Sequence, residues 1–376
     1  MLITRKRFLQ IGAGSIAGVA LSNLWLPKLL HAENAKNGKG RLPVIWFQAQ
    51  ACSGCAVSLI NTEYPAIDDV LIEVISLEFN PVIMGAQGDL SLSVIDRMIE
   101  QENGKFIFIV EGSIPVEEDG LYCTVGERDE KPVTALEWAK KIGQACMAVV
   151  SVGSCASWGG IPAAPPNPTG ALPASKVIED KPVINIPGCP PHPDWMIGTI
   201  VHVLKYGVPE LDSLGRPVMF YGPDKLIHDN CELRQYFDSG IFARDFGQEG
   251  CLYELGCKGP VAHCDVSTRG WNSRVNWCNR SGGPCIGCTE PFFPGGKGSG
   301  LYEKLPAAEV PGLEKINASA NTLGIALGGA VAAGIGAHAT ARIIATKVKQ
   351  NNDEKNREKG TPQILIEEDE DIKEDK

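Results

Sequence analysis

Short apolar runs alternate with amphipathic segments over roughly the first half of the chain. Six continuous runs have the composition of buried strands: Pro43–Gln48, Val70–Phe79, Lys105–Val110, Met147–Val152, Val183–Ile186 and Pro217–Tyr221. Between them, Leu92–Glu100 and Val133–Ile142 have the apolar spacing of amphipathic helices. Continuous β-branched runs separated by helical segments are typical of a parallel sheet covered by helices on both faces. The pattern therefore predicts an α/β fold.

The pattern changes after about residue 210. Glycine, proline and aromatic residues become more frequent and the apolar runs shorten. A segment with so little regular structure needs another source of order, and bound metal can provide it because metal binding contributes free energy to folding. We therefore expect one domain over residues 41–209 and a second over residues 210–310.

Both ends of the chain carry membrane-related signals. A basic segment, Thr4–Gln10, leads into an uncharged stretch, so residues 1–32 resemble an export signal of the twin-arginine type, with Arg5-Lys6 where two arginines are usual. An N-terminal membrane anchor is the alternative. Residues 322–346 are long and apolar enough to cross a hydrocarbon core of about 30 Å as a helix, with a buried helix of a soluble domain as the alternative.

The charges that follow this segment predict its orientation. Lysines and arginines are frequent after residue 341, which places residues 347–376 in the cytoplasm by the positive-inside rule. The lipid bilayer would then be one partner, and the body would lie at the extracytoplasmic, periplasmic face of the cytoplasmic membrane. The formal net charge is −10, and no basic, aromatic-rich patch is present, so a nucleic-acid partner is not expected.

Twelve soft metal ligands fall into three sets of four. The first set contains Cys52, Cys55, Cys155 and Cys189; the second contains His228, Cys231, Cys251 and Cys257; the third contains Cys264, Cys278, Cys285 and Cys288. Four thiolates, or three thiolates and an imidazole, can hold an iron–sulfur cluster. A disulfide framework and structural zinc are the alternatives. The thirteen cysteines are an odd number, and the chain is large enough to fold without disulfide bonds. We expect Cys123 and Cys146 to be core residues.

The first set follows the predicted strands closely. Cys52 and Cys55 come after the first run, Cys155 follows the run Met147–Val152, and Cys189 follows Val183–Ile186. In open α/β sheets, ligands bind beyond the carboxyl ends of the strands. One sheet edge can therefore collect four thiolates that are far apart in the sequence, which favours the cluster interpretation.

The motifs around these ligands resemble those of the small, electron-transferring subunit of membrane-bound nickel–iron hydrogenases. The resemblance covers nearly the whole chain. It includes Trp46-Phe47-Gln48, Cys52-Ser53-Gly54-Cys55, Val110-Glu111-Gly112-Ser113-Ile114-Pro115, Gly153-Ser154-Cys155-Ala156-Ser157-Trp158-Gly159-Gly160, Pro187-Gly188-Cys189-Pro190-Pro191, His228-Asp229-Asn230-Cys231 and Pro284-Cys285-Ile286-Gly287-Cys288. The resemblance implies a flavodoxin-like N-terminal domain and a cluster-binding C-terminal domain.

The resemblance also implies a role for each set. The first set would hold the proximal cluster, which faces a nickel–iron site in the large subunit. The third set would hold the medial cluster and the second set the distal one. Many relatives have proline where this chain has Cys278, together with a 3Fe–4S medial cluster, so Cys278 predicts a 4Fe–4S cluster here. Gly54 and Gly160 stand where oxygen-tolerant relatives have extra cysteines, which predicts an ordinary proximal 4Fe–4S cluster and an oxygen-sensitive enzyme.

These features predict the electron-transfer half of a hydrogenase. Electrons would pass from the large subunit through three clusters, with a 4Fe–4S distal cluster last, to a membrane cytochrome b or a quinone-reducing subunit. The nickel–iron site itself is not expected in this chain, so no catalytic residue is assigned. Ala51 replaces a glutamate that many relatives have before the first cysteine, so a proton path through that carboxylate is not expected. The alternative function is an iron–sulfur subunit of a quinone reductase without hydrogenase activity.

Overall fold

The computed structural model describes residues 41–179, 181–295, 300–305 and 320–359. The described residues up to Leu305 belong to one compact unit and those from Ala320 onward belong to a second. The predicted export signal, residues 1–32, and the last part of the predicted cytoplasmic segment, residues 360–376, lie outside the described residues. The division predicted near residue 210 stays a prediction.

The strands of the first unit form one large sheet and two small ones. In chain order they are β1 (Leu42–Gln48), β2 (Ile75–Phe79), β3 (Ile107–Glu111), β4 (Ile114–Pro115), β5 (Thr124–Arg128), β6 (Lys131–Thr134), β7 (Ala148–Val152), β8 (Ala171–Leu172) and β9 (Val183–Ile186). The large sheet has the spatial order β2-β1-β3-β7-β9 and all its pairings are parallel. The antiparallel pairs β4-β8 and β5-β6 form the two small sheets.

The α-helices vary from single turns to one helix of 40 residues. In chain order they are α1 (Gly54–Ile60), α2 (Ile67–Asp69), α3 (Gly88–Gln101), α4 (Ala135–Ala145), α5 (Ser154–Trp158), α6 (Ala174–Val177), α7 (Pro193–Tyr206), α8 (Val218–Tyr221), α9 (Arg234–Asp238), α10 (Val266–Arg269) and α11 (Ala320–Lys359). The predicted helix Leu92–Glu100 lies within α3. The predicted helix Val133–Ile142 begins too early, because Val133 still belongs to β6. The Thr134 side chain caps α4 by accepting from the Glu137 N–H.

The large sheet has an apolar core on each face. Successive residues of a strand point to opposite faces, so Trp46 of β1 packs in one core and Phe47 packs in the other. The first core includes residues of α1 and α7, whereas the second includes residues of α3 and α4. Helices therefore cover both faces, as the continuous apolar runs predicted. The first core also extends to the irregular segment after α7, where it includes Trp277.

Two apolar runs were wrong as strand predictions. The first half of Val70–Phe79 forms a helical turn, Val70–Val74, in which Val70 and Val74 are both buried, and only Ile75–Phe79 is a strand. The run Pro217–Tyr221 forms the short helix α8, which buries Phe220 and Tyr221. Short apolar runs fit a buried helical turn as well as a strand, so periodicity alone does not separate the two.

The second unit is the long helix α11. Its described side chains, residues 324–355, are exposed, including apolar residues such as Ile325 and Ile335. By length and composition, Gly324–Lys355 is a candidate membrane span with a mean hydropathy of 1.3. The helix contains the predicted span 322–346 and continues to Lys359, so it includes the first part of the segment predicted as a tail.

Candidate iron–sulfur cluster sites

Four strand ends lie side by side at one edge of the large sheet. Gln48 pairs with Glu111, Glu111 pairs with Val152, and Val152 pairs with Ile186. The segments after β1, β7 and β9 begin at this edge, and they carry the four cysteines of the first set. The parallel sheet therefore brings these cysteines together in the way that the strand ends predicted.

The four thiols of the first set affect one another electrostatically. Burial raises the pKa of Cys55 well above its ordinary value, with further contributions from Glu111 and from the other three cysteines. Burial likewise raises the pKa of Cys155 to about 11. Thiolates crowded in a partly buried site need a positive partner, because they otherwise bind protons. Bound iron provides that charge and deprotonates the thiols, so this donor set fits an iron–sulfur cluster.

Two glycines with positive φ leave space next to these sulfurs. A Cβ atom at Gly153 (φ +90°) would lie 2.5 Å from the Cys55 Sγ. A Cβ atom at Gly160 (φ +55°) would lie 2.8 Å from the Cys155 Sγ. L-residues with side chains rarely adopt these φ values and would crowd the sulfurs here. The two glycines therefore keep the surroundings of the first set open.

Glu111 is a buried carboxylate beside the first set, and the ligand spacing did not indicate a role for it. Its Oε2 accepts from Trp46 Nε1 at 2.7 Å and from Gln48 Nε2 at 2.8 Å. Its Oε1 accepts from the backbone N–H groups of Cys55 at 3.1 Å and Ala56 at 3.4 Å. Glu111 thus joins β1 to the start of α1, where Cys55 lies. A charged residue at the end of an apolar strand run was the signal that could have identified it.

The third set comes together within the irregular segment. Cys264 and Cys285 are buried, whereas Cys278 is exposed. Burial raises the pKa of Cys264, with contributions from Cys288 and Cys278. Burial also raises the pKa of Cys285, and the nearby thiols that raise it further are Cys257, Cys264, Cys288 and Cys278. The structure therefore places Cys278 near the three other cysteines of its set, and also near Cys257 of the second set.

The second set lines a small pocket. The lining includes His228, Cys231, Cys251 and Cys257, and also Asn279. Burial lowers the pKa of His228, and the nearby Arg234 lowers it further, so the imidazole is neutral at pH 7 and can bind a metal. The His228 ring meets the Phe237 ring edge-on, with centroids 4.5 Å apart.

Hydrogen bonds connect the first set to the third. The backbone N–H of Cys189 donates to the Cys288 thiol. The Ser154 hydroxyl donates to the Cys288 carbonyl and accepts from the Gly188 N–H at 3.1 Å. Ser154 precedes Cys155 and Gly188 precedes Cys189, so this one hydroxyl connects two of the three loops of the first set to the third set.

A second connection joins the third set to the second. The backbone N–H of Lys258, next to Cys257, donates to the Cys285 carbonyl at 2.7 Å. The Lys258 side chain is fully buried and donates to the carbonyls of Gly256 and Glu303. The three sets are therefore connected in the order first, third, second.

The remaining cysteines behave as predicted. Cys146 is fully buried in the second core of the sheet and Cys123 packs against that core. All thirteen cysteines are free thiols. Across the described ranges, no group of three or more His, Cys, Asp or Glu side chains is arranged to hold a single metal ion. A cluster differs from a single ion because each of its ligands can bind a different iron atom.

Two family models match separate parts of the chain. The model described as NADH ubiquinone oxidoreductase, 20 Kd subunit, matches residues 52–203. The model for the C-terminal part of the NiFe/NiFeSe hydrogenase small subunit matches residues 224–299. The second match contains all eight residues of the second and third sets. A quinone-reductase subunit without hydrogenase activity is therefore not favoured.

Relatives that match most of the chain agree with the second family model. The periplasmic [NiFeSe] hydrogenase small subunit of Desulfomicrobium baculatum is 42% identical over 313 residues, which are 79% of this chain and 98% of that protein. The uptake hydrogenase small subunit of Azotobacter vinelandii is 39% identical over 355 residues, which are 93% of this chain and 94% of that protein.

Solved structures agree as well. A reduced, active form of the Ni-Fe-Se hydrogenase from Desulfomicrobium baculatum superposes with a TM-score of 0.67 at 42% identity, covering 71% of this chain and all of that chain. The oxidised recombinant [NiFeSe] hydrogenase of Desulfovibrio vulgaris Hildenborough gives 0.66 at 43% identity, covering 70% and 98%. The small subunits of hydrogenases carry iron–sulfur clusters and pair with a large subunit. The chain belongs to this family, the electron-transfer small subunits of NiFe and NiFeSe hydrogenases.

Proposed function

We propose that this chain conducts electrons through three iron–sulfur clusters, between a nickel–iron site in the large subunit and a membrane partner. The proximal cluster would be held by Cys52, Cys55, Cys155 and Cys189, the medial one by Cys264, Cys278, Cys285 and Cys288, and the distal one by His228, Cys231, Cys251 and Cys257. The observation that carries this proposal is the connection of the three sets in the order first, third, second. Three redox sites in such a row form a path for electrons.

We propose a 4Fe–4S cluster at each site. Cys278 supports this type at the medial site, because its thiol lies with Cys264, Cys285 and Cys288 and completes a set of four. A 3Fe–4S medial cluster, with Cys278 unbound, is the second candidate, since Cys278 is the exposed member of the set. The clusters would supply the one-electron chemistry, and the surrounding side chains orient and shield them.

The edge of the sheet that carries the first set is the face proposed for the large subunit. Cys52 and Cys189 are exposed there in the isolated chain. Val57 and Ile60 on α1 and Ile161 after α5 are exposed apolar residues in the same segments. A partner that covers these groups would exclude water from the proximal site and bury apolar area.

The proposed membrane arrangement depends on the two ends of the chain. We propose an export signal over residues 1–32, a membrane-spanning segment over 322–346, and a cytoplasmic tail over 347–376. The exposed apolar side chains of α11 support contact with lipid or with a membrane subunit. That membrane protein would be a cytochrome b or a quinone-reducing subunit, located with this chain at the periplasmic face of the cytoplasmic membrane.

The proposed domain description is a flavodoxin-like domain over residues 41–209 and an iron–sulfur domain over residues 210–310. The strand order of the large sheet supports the first part. Its five parallel strands, counted in chain order, are arranged 2-1-3-4-5, which is the order found in flavodoxin-like folds.

The test of the proposed function is hydrogen-dependent viologen reduction by the detergent-solubilised complex, captured anaerobically through a tag on this chain. We expect activity to co-purify with a nickel-containing large subunit, and iron with acid-labile sulfide to co-purify with this chain. A complex that contains zinc in place of iron and sulfide would contradict the proposed clusters. A complex that contains clusters but neither nickel nor hydrogen-dependent activity would contradict the proposed electron source.

A further inference from the structure

We infer that Asn279 raises the reduction potential of the distal site by donating hydrogen bonds to two of its sulfurs. The Asn279 Nδ2 lies 3.5 Å from the Cys231 Sγ and 3.6 Å from the Cys257 Sγ. Asn279 is buried and lines the same pocket as His228 and the three cysteines of the second set. The inference rests on the proposed distal cluster, and it adds a residue that the ligand spacing did not indicate.

The orientation of the Asn279 amide follows from the chemistry of the sulfurs. A metal-bound thiolate only accepts hydrogen bonds, so the NH₂ group of the amide must face Cys231 and Cys257. The Asn279 Oδ1 points elsewhere, and it is buried without a hydrogen-bond partner among the described residues. An unpaired buried oxygen destabilises the fold. Charge-assisted hydrogen bonds from the NH₂ group to two thiolates offset that cost.

Asn279 adds a side-chain donor to a site where backbone donors are already present. The Leu233 N–H donates to the Cys231 sulfur at 3.4 Å, and the Gly259 N–H donates to the Cys257 sulfur at 3.4 Å. Each such bond stabilises negative charge on the ligand sulfurs. Because a reduced cluster is more negative than an oxidised one, these donors favour the reduced state and raise the potential. The two bonds from Asn279 act in the same direction.

The contacts of Asn279 affect the potential of the distal site rather than that of the medial site. Asn279 directly follows Cys278, a member of the third set, yet its side chain contacts two sulfurs of the second set. A donor aimed at the second set raises the distal potential relative to the medial one. A higher distal potential favours electron transfer from the medial site to the distal site, the direction needed for hydrogen oxidation.

The experiment is an EPR-monitored redox titration of the intact, anaerobically purified complex carrying Asn279→Leu. We expect all clusters to be retained, as measured by iron and sulfide content, with the distal potential shifted to a more negative value and the proximal potential unchanged. Asn279→Ala, which also removes both donors and adds no charge, should shift the distal potential in the same direction. The alanine variant also tests the inference if the leucine variant fails to assemble.

A matched control separates the hydrogen bonds from a general disturbance of the loop. Asn230 precedes Cys231, and its amide donates to the carbonyls of Asp224 at 3.2 Å and Leu226 at 3.1 Å rather than to a sulfur. Asn230→Leu should therefore leave the distal potential unchanged. An Asn279→Leu complex with the wild-type distal potential would overturn the inference, and so would an equal shift in Asn230→Leu.

A ligand variant distinguishes a failure of this inference from a failure of the proposed function. Cys231→Ala should remove or alter the EPR signal of one cluster, the same cluster whose potential responds to Asn279→Leu. If Cys231→Ala leaves every signal intact, the proposed distal site is wrong, and the inference falls with it. If Cys231→Ala alters a signal whose potential is insensitive to both Asn279 variants, the proposed site stands and only the role of Asn279 is wrong.

Discussion

Replacing the Glu111 carboxylate by an amide tests whether this buried side chain organises the loop of the first cysteine pair. One oxygen of Glu111 accepts from Trp46 and Gln48, and the other accepts from the N–H groups of Cys55 and Ala56. In Glu111→Gln, one of these oxygens becomes an NH₂ group, which cannot accept. Whichever way the amide turns, two donors lose their acceptor.

The expected magnitude follows from the burial of these donors. Leaving a buried donor unpaired costs about 1–3 kcal/mol, so two donors cost about 2–6 kcal/mol. Small domains are stable by only about 5–15 kcal/mol. The variant should therefore lose a large part of the stability of the sheet edge that carries Cys52 and Cys55. We expect a lower yield of cluster-loaded complex and earlier loss of the clusters on heating.

The assay is the thermal loss of iron–sulfur absorbance in the anaerobically purified complex, together with its iron content. Glu100→Gln is the matched control, because Glu100 is an exposed residue of α3. We expect the control to behave like the wild type and Glu111→Gln to lose its clusters at a clearly lower temperature. Equal midpoints for Glu111→Gln and the control would refute the reasoning about the buried donors.

Two other substitutions and one pH dependence test separate parts of the proposed structure. In Cys278→Pro, the medial site should lose one ligand and show an oxidised 3Fe–4S EPR signal that the wild type lacks. Ser154→Ala should lower the thermal midpoint by the equivalent of about 1–3 kcal/mol, because the Gly188 N–H loses its acceptor and the Cys288 carbonyl loses a donor. Burial lowers the pKa of His192, so stability should fall as pH decreases from about 7 to 5, since the unfolded chain then takes up the proton more readily than the folded chain.

Each of these three tests has its own control. For the medial site, a Cys278→Pro complex without a new oxidised signal would show that Cys278 is not a ligand. Ser154→Thr keeps the hydroxyl, so it should retain more stability than Ser154→Ala, and equal losses would count against the bridge. His192→Asn keeps an acceptor for the Asp194 N–H at the start of α7 but does not titrate. Its stability should therefore depend less on pH, and identical pH profiles would contradict the role of burial.

The sheet and its cysteine-bearing edge could be predicted because both depend on continuous apolar runs. Strands β1, β3, β7 and β9 are buried on both faces, so their sequences are mostly apolar, and each apolar run ends at or next to the end of its strand. The same reasoning was wrong for Val70–Val74 and Pro217–Tyr221, which are helical. A buried turn of helix and a buried strand need the same few apolar residues, and tertiary packing decides between them.

The proposed ligand sets follow from residue types and spacing, but the residues that contact these sets could not be predicted. The hydrogen bonds of Glu111 to Trp46, of Ser154 to Cys288 and of Asn279 to Cys231 join positions that are 65, 134 and 48 residues apart. No local pattern specifies such pairs, because the fold creates them. A polar residue among buried neighbours is the only signal that the sequence contains, and it does not name the partner.

The measurement that most directly tests the three-cluster relay is quantitative EPR of the hydrogen-reduced complex, combined with iron and sulfide analysis, for the wild type and three alanine variants. The variants are Cys155→Ala, Cys285→Ala and Cys251→Ala, one from each set. We predict three reduced clusters in the wild type and a different one lost or altered in each variant. Fewer than three clusters, or the same cluster affected by substitutions in two sets, would contradict the relay.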